Sequence, residues 1–324
     1  KERDIREQKE LAAMGWHCIT IWECLKIKIM CHFTQNMVFR LWRMEQQSRF
    51  AIMTTNFTEV ITLIIKDKTI DGGKGFDWGK VSSEYAKYRD IYPKIFFQKI
   101  LDLGLCKDGQ KILDLGTGTG VLPRNMYCYG GIWTGTDISE EQIEQAKHLS
   151  AGMNIDYKAV ATEKIDFPAE SFDVITACQC FWYFDHESVM PNLYRMLKPG
   201  GKLLALYMAW LPYEDEIAGR SEELVLKYSP AWSGAGETMH PIQIPDCYNT
   251  HFDLIHHEEY KLDVHFSRDS WHGRMKACRG VGASLNEEEL QSWEQEHLKL
   301  LSEIAPEEFD IKHYAALVEL KARK

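Results

Sequence analysis

The sequence has no uninterrupted run of 18 or more apolar residues, so no membrane-spanning helix is expected. Its first ten residues, KERDIREQKE, lack the apolar core of a secretory signal. Nine cysteines are present, an odd number, and none falls in a C-x-x-C pair. That argues against a disulfide framework and for reduced thiols in a cytoplasmic protein. An excess of positive charge is also missing. With 38 Lys and Arg against 48 Asp and Glu, the net charge of −10 argues against a general nucleic-acid binder. There is no internal repeat and no low-complexity tract. What remains, 45% apolar and 27% charged residues over 324 positions, is an ordinary globular chain of one large domain or two modest ones.

The stretch that organises the chain is Lys111 to Pro123, KILDLGTGTGVLP. Ile112 and Leu113 read as the end of a buried strand, and an amphipathic, helix-compatible stretch follows the glycines. Gly116, Gly118 and Gly120 tolerate positive φ and let the backbone approach a ligand closely. The helix that starts here points unpaired N–H groups over the turn. A dinucleotide fingerprint, G-x-G-x-x-G, requires glycine where this chain has Val121. Asp114 adds a carboxylate that can hold a cation, which a pyrophosphate site disfavours. The stretch GIWTGTDI then reads as a strand ending in Asp137, placed to accept hydrogen bonds from ribose hydroxyls. Ile138 sits beside it, and Ser139-Glu140-Glu141-Gln142 fits a capping box for the next helix.

Asp114-x-Gly116-x-Gly118-x-Gly120 resembles motif I of the class I S-adenosylmethionine (SAM) methyltransferases. The resemblance extends over about residues 76–324. It implies a donor site built from Asp114, Gly116, Thr117, Gly118, Gly120, Asp137 and Ile138. The segment FDWGKVSSEYAKYRDIYP resembles the entry segment "FD…Y-x-x-x-R-x-x-YP" of small-molecule methyltransferases, which usually covers the SAM site. Tyr85, Tyr88, Arg89 and Tyr92 are its residues of interest. A guanidinium fork suits a carboxylate, so Arg89 is a partner for the carboxylate of SAM or of an acceptor. Ala161 to Phe167 resembles the "D-A-E-x-L-P-F" stretch, except that Ala161 replaces the aspartate that meets the adenine. Adenine would rely there on backbone near Ala161 and Thr162, with Glu163 adjacent. After the fourth strand, FDVITA, the tip Cys178 to Asp185 resembles "Q-x-x-x-W-F-D", which implies that Gln179 and the aromatics line the pocket. Ligands in open α/β sheets bind beyond such strand ends. Cys178 and Cys180 are read as packing, and Asp185 as the cap of the next helix.

Pro93 starts a helix through Leu103, Asn154 to Val160 reads as the third strand and Lys202 to Met208 as the fifth. Alternating strands and helices from 111 to 208 indicate a parallel sheet. Residues 209–250 break the alternation, with a helix over Glu214 to Lys227 and then a Pro, Gly and Ser-rich stretch. They are read, with residues 268–305, as a lid on the acceptor pocket. WHGRMKACRGVGAS resembles a phrase near that pocket in small-molecule methyltransferases, which marks His272 and Arg274 as acceptor contacts. Residues 251–266 read as a strand, Glu287 to Ala305 as a helix capped at Ser284, and Phe309 to Leu320 as a final antiparallel strand. His256-His257-Glu258-Glu259 is rejected as a metal cluster because neighbours on a strand point to opposite faces. No metal site is expected.

Residues 1–52 carry nine Lys and Arg against six Asp and Glu, a charge of +3, while the remainder carries −13. Residues 1–26 resemble the C-terminal end of very-short-patch-repair DNA mismatch endonucleases, closing on WEC. That family's metal-binding carboxylate and catalytic histidine would lie upstream, so this extension is read as non-catalytic, with Met53 a natural start for the domain at 53–324.

The resulting expectation is a seven-stranded, doubly wound α/β, Rossmann-like methyltransferase sheet with a lid insertion after strand five. The cofactor is SAM. The acceptor is a small molecule of anionic character, suggested by Arg89 and Arg274. Tyr88 and His272, with His186, are the general-base candidates, and Arg274 completes the catalytic set. A quinone-type C-methyltransferase is the nearest alternative. A nicotinamide oxidoreductase is disfavoured by Val121. A DNA-repair-related binding module through the N-terminal segment is the alternative of another class.

Overall fold

The computed structural model describes residues 70–324, and the N-terminal extension with its nuclease-like stretch lies outside them. The described chain forms one seven-stranded sheet. Its strands are β1 (Lys111–Leu115), β2 (Ile132–Asp137), β3 (Asp156–Ala159), β4 (Phe172–Cys178), β5 (Leu197–Trp210), β6 (Phe252–Ser267) and β7 (Glu308–Ala322). The spatial order is β3-β2-β1-β4-β5-β7-β6. The first five strands run parallel, and β7 is antiparallel to both β5 and β6. The fold is the expected seven-stranded α/β sheet, wound both ways from β1.

Both faces are covered, and the strand residues say so. Ile112, Val174, Leu204 and Leu206 pack into one apolar layer. Leu113, Leu115, Ile175, Ala177, Leu203 and Ala205 pack into the other. Successive side chains on one strand therefore enter opposite cores, which is why the parallel strands read as continuous apolar runs rather than alternating ones. α1 (Ser82–Tyr88) buries no residue, and α2 (Lys94–Asp102) helps close the first layer, with Phe96 and Ile100 buried in it. α3 (Val121–Met126) and α4 (Glu140–Leu149) follow β1 and β2. α5 (His186–Met196) buries Val189, Leu193 and Met196 in the second layer. α6 (Glu216–Tyr228) follows β5, while α7 (Arg268–Lys276) and α8 (Glu287–Ile304) connect β6 to β7.

Several boundaries differ from the sequence reading, each for a local reason. Ser139 caps α4 by accepting the Gln142 N–H at 3.2 Å. The reciprocal half of the expected box is absent because the Ser139 N–H donates to Asp137 Oδ1 at 2.9 Å, while the Gln142 amide donates to the Trp78 carbonyl at 3.2 Å. Asp185 precedes α5 but makes no side-chain cap. α8 is capped by Asn286, not Ser284: Asn286 Oδ1 accepts the Glu289 N–H and Glu289 Oε2 accepts the Asn286 N–H, a complete capping box. β5 starts at Leu197, where it pairs with Phe172 of β4, and runs on to Trp210 because β7 pairs with it from Lys202 to Trp210. Among the described residues no helix is long and apolar enough to cross a membrane.

Candidate active site

Strand order reverses between β1 and β4, and a sheet of this kind opens a crevice at the carboxyl ends of those two strands. The glycine loop sits there. Gly116, Gly118 and Gly120 all have positive φ, at 55°, 55° and 74°. The loop is held by Thr117 N–H donating to the Thr136 carbonyl at 2.8 Å and Gly120 N–H to the Thr117 carbonyl at 2.9 Å. A Cβ at Gly116 would lie 2.8 Å from the Cys180 side chain, so that glycine is required by packing as well as by φ. A Cβ at Gly118 would make only ordinary contacts, with Tyr85 at 3.5 Å and Gln142 at 3.9 Å, so there the loop leaves room for a side chain.

Asp137 ends β2 beside this loop. Its Oδ2 accepts the Gly118 N–H and its Oδ1 the Ser139 N–H, each at 2.9 Å. Burial raises its pKa, and those backbone donors oppose the rise. Asp114 is buried one layer below. Its two oxygens accept the hydroxyls of Thr117 and Thr176, each at 2.6 Å. Burial pushes its carboxyl up to about 7 against those two hydrogen bonds. Asp114 and Thr117 border a side pocket of about 20 Å³ with Tyr85, Arg89 and Gly116.

The main cavity measures about 930 Å³. Of the expected site residues it is lined by Gly116, Gly118, Asp137, Ile138, Thr162, Glu163, Gln179, Arg89 and Arg274. Gly120 is not on its wall. It starts α3 in a left-handed conformation, and a Cβ there would run into Tyr157. Gln179 has φ 66°, an unusual conformation for a residue other than glycine. Its N–H donates to the Leu206 carbonyl at 2.9 Å and its side chain to the Met208 carbonyl at 2.5 Å, which ties the β4 tip to β5. Strain of this kind clusters at functional sites.

Tyr88 and His272, the expected general bases, lie outside the cavity. Tyr88 packs its ring on Gly273 and bonds Asp269 at 3.2 Å, so it serves the contact between α1 and α7. From α7 and the turn beyond it the cavity is lined by Arg274, Ala277, Cys278 and Arg279, the first three forming one helical face. This is an i, i+3, i+4 face, and His272 falls two residues before it, on the side that meets α8. There His272 Nδ1 lies 2.9 Å from His297 Nδ1, with its ring stacked on Trp293. His186 does line the cavity, where its Nδ1 meets the Tyr248 hydroxyl at 3.1 Å and burial lowers its pKa.

Arg274 is 5% exposed, and its guanidinium lies 4.8 Å over the Trp210 ring. Its Nη1 approaches the Cys278 sulfur at 3.2 Å, and its Nε has no partner. Burial and the nearby Arg89 push its pKa down to about 10. Arg89 Nη2 donates to the Tyr85 hydroxyl at 3.3 Å.

The far wall of the cavity was not selected from sequence. Tyr207 and Trp210 from β5, and Trp232, Glu237 and His240 from the stretch after α6, complete it. Glu237 accepts the hydroxyls of Tyr207 and Tyr314 at 2.9 and 2.6 Å, and His240 Nε2 lies 2.7 Å from the same carboxylate. Glu222 accepts Trp210 Nε1–H at 2.8 Å and the Gly236 N–H at 2.6 Å. The only advance signal was the break in alternation after strand five. His256 and His257 lie on β6, each 3.7 Å from the glutamate two residues on, Glu258 and Glu259. Among the described residues no three His, Cys, Asp or Glu converge as metal ligands.

The residues fit SAM as the cofactor: a glycine loop with room over Gly118, a carboxylate at the tip of β2, and a cavity walled by aromatic side chains. A family model described as "Methyltransferase domain" matches residues 113–205. The chain is 31% identical over 158 residues to a ubiquinone biosynthesis O-methyltransferase of Pseudomonas putida, covering 47% of this chain and 67% of that protein. It is 33% identical, with the same coverage, to one of Pseudomonas fluorescens. Among solved structures it is similar to the YcgJ protein of a Bacillus, with a TM-score of 0.43 and 18% identity over 72% of this chain and 100% of that one. With its motif residues gathered at the β1–β4 crevice and the Pseudomonas relatives beside it, the chain belongs to the class I SAM-dependent methyltransferases.

Proposed function

We propose that this enzyme methylates a small organic molecule held between the glycine loop and the aromatic far wall. The observation that carries the reading is continuity: one cavity runs from Gly118 and Asp137 to Trp182, Tyr207, Trp210 and Trp232. SAM supplies an electrophilic methyl group on a sulfonium. The protein's part is then to bind, orient and exclude water. Asp137 would hold the ribose hydroxyls, and Ala161 and Thr162 the adenine edge. Arg89, which borders the side pocket with Gly116 and Thr117, suits the donor's carboxylate. Aromatic faces around the cavity favour a cationic donor.

The polar groups on the far wall are engaged with one another, as the Glu237 and His186 contacts show. This favours an acceptor that reaches the site as an anion rather than one that must lose a proton to the protein. A second reading, methylation of a quinone precursor, is supported by the name of the Pseudomonas relatives.

Calorimetric titration with S-adenosylhomocysteine, beside NADH and the Asp137→Ala variant, tests the donor site. Micromolar binding of the first ligand alone, lost in the variant, supports the proposal. A folded protein that binds neither ligand overturns it.

A further inference from the structure

The described residues include eight arginines. Six of them meet a carboxylate within ion-pair distance: Arg124 with Asp90, Arg195 with Asp166, Arg220 with Glu223, Arg268 with Glu307, Arg279 with Asp71 and Arg323 with Asp253. The remaining two are Arg89 and Arg274, and both line the main cavity. The side chains that act most strongly on their charges are tyrosines, a cysteine and, for Arg274, Arg89. Arg274 is the more buried of the pair, and its Nε–H has no acceptor among the described residues. A buried guanidinium without a counter-ion and with an idle donor opposes folding. A group of this sort is retained where a ligand completes it.

The two cations are neighbours, close enough to act on one another's charge, but they face different walls of the site. Arg89 borders the side pocket with Gly116 and Thr117, on the donor side. Arg274 lies on the β5 side, stacked over Trp210 and beside Cys278. The donor brings one carboxylate, which matches one guanidinium. One positive charge is then left over, on the acceptor side, against an aromatic wall.

We propose that Arg274 is the acceptor-recognition residue, and that the methyl acceptor is an apolar or aromatic monocarboxylate whose carboxylate takes the Arg274 fork while its body lies along Trp210 and Trp232. This deepens the small-molecule reading above and rests on it. A carboxylate pairs with two N–H groups of the planar fork; the Nε–H is closed to solvent in the unliganded protein, so the terminal Nη groups are the ones a ligand carboxylate would take.

The test has two arms, neither of which needs turnover. In the first, the melting temperature of the unliganded protein is compared with that of Arg274→Met. Removing an uncompensated buried charge is expected to raise it by about 3 °C, whereas Arg279→Met lowers it. A fall in Arg274→Met overturns the proposal, because it would mean that Arg274 is a structural residue. If that variant fails to fold, Arg274→Gln, which keeps the volume roughly and removes the charge, is read in its place.

In the second arm, protein saturated with S-adenosylhomocysteine is titrated with a panel of aryl and alkyl monocarboxylates, cinnamate and octanoate among them, beside their amides and the corresponding phosphate monoesters. At least one acid is expected to bind about tenfold or more tighter than its amide and its phosphate analogue, with that preference lost in Arg274→Met. Amides binding as well as acids, or phosphate monoesters preferred throughout, would overturn it. S-adenosylhomocysteine affinity itself reports separately on the donor reading: intact donor binding with no preference for acids sinks only the acceptor assignment.

Discussion

Arg279 grips Asp71 with both arms of its fork, Nε to Oδ2 at 2.7 Å and Nη2 to Oδ1 at 3.0 Å, across 208 positions of sequence. Ser233 joins them, its N–H and hydroxyl donating to Asp71 Oδ1 at 2.7 and 2.9 Å, and Arg279 Nη1 reaches the Tyr183 hydroxyl. Four separate segments, the stretch before α1, the β4 tip, the stretch after α6 and the turn beyond α7, meet at this one pair beside the cavity. Burial opposes the Asp71 charge, yet the Arg279 and Ser233 hydrogen bonds prevail and hold its pKa below the ordinary value.

Breaking the pair leaves a carboxylate that is 4% exposed with part of its partners gone. Arg279→Met is expected to lose about 3 kcal/mol of stability. Paired with Asp71→Asn, the two losses should fall well short of adding, by roughly 1 kcal/mol or more. Denaturant melts of the two single variants and the double variant measure this. Strict additivity would show that the pair is not the energetic unit.

The glycine loop makes a contrast between neighbours. Both Gly116→Ala and Gly118→Ala force a side chain into left-handed backbone, at about 1–2 kcal/mol each. Only at Gly116 would the new Cβ also press on Cys180, at 2.8 Å. Gly116→Ala is therefore expected to lose clearly more stability than Gly118→Ala. Gly118→Ala should remain folded while binding S-adenosylhomocysteine at least about tenfold more weakly, because close approach over that residue is what the room there provides. Equal affinity in a folded Gly118→Ala protein would move the donor away from the loop.

The donor half of the site was readable in advance because it is local. A strand, its terminal carboxylate and the turn that follows are contiguous, and their spacing fixes where Gly116, Gly118 and Asp137 must sit. The parallel run of β1 to β5 followed from the same alternation. The acceptor half is not local. Tyr207 and Trp210 come from β5, Trp232 to His240 from an irregular stretch, and Arg274 from a helix between β6 and β7. Only the antiparallel return of β7 brings their elements to one end of the sheet. His272 shows the limit most clearly. It shares a phrase with Arg274 but is two residues out of phase on the helix, so it packs on His297 rather than facing the cavity. Gln179 carries positive φ that no local pattern announced.

Asp114 is a carboxylate that the fold would hold more easily as an acid. Its folded pKa is raised to about 7 by burial. The acid form is thus favoured in the native state, so the stabilising protonation is complete at low pH and lost as pH rises from about 4 through 7. Asp114→Asn imitates the neutral form. Thr176 can turn its hydroxyl to the Leu113 carbonyl, 3.5 Å away, and accept from the new amide. The variant is expected to be more stable than the parent at pH 8 by about 1–3 kcal/mol, and no more stable at pH 4. It should bind S-adenosylhomocysteine more weakly. A destabilised Asp114→Asn at pH 8 would mean that the carboxylate is ionised and well paired.

His297 and His313 work in the opposite direction. Both are buried, and burial pushes each pKa down to about 3. His313 Nδ1–H donates to the Ile311 carbonyl at 2.9 Å, while its Nε2 is buried without a partner. Protonating that nitrogen would place a charge and an unpaired N–H in the core, near Arg274 and Arg89, which already disfavour it. The unfolded chain binds a proton at each histidine near pH 6.5 while the native state refuses it. Stability is therefore full above that value and falls as pH drops toward 3. From pH 7.5 to 5 each histidine should remove about 2 kcal/mol, with Asp114 returning a similar amount over the same interval. His313→Leu should flatten the acid side of the curve by its own share, leaving a protein that gains on its parent as pH falls. Urea melts at pH 7.5, 6 and 5 measure the slope, and a His313→Leu curve parallel to the parent's would mean that His313 titrates alike in the folded and unfolded chains.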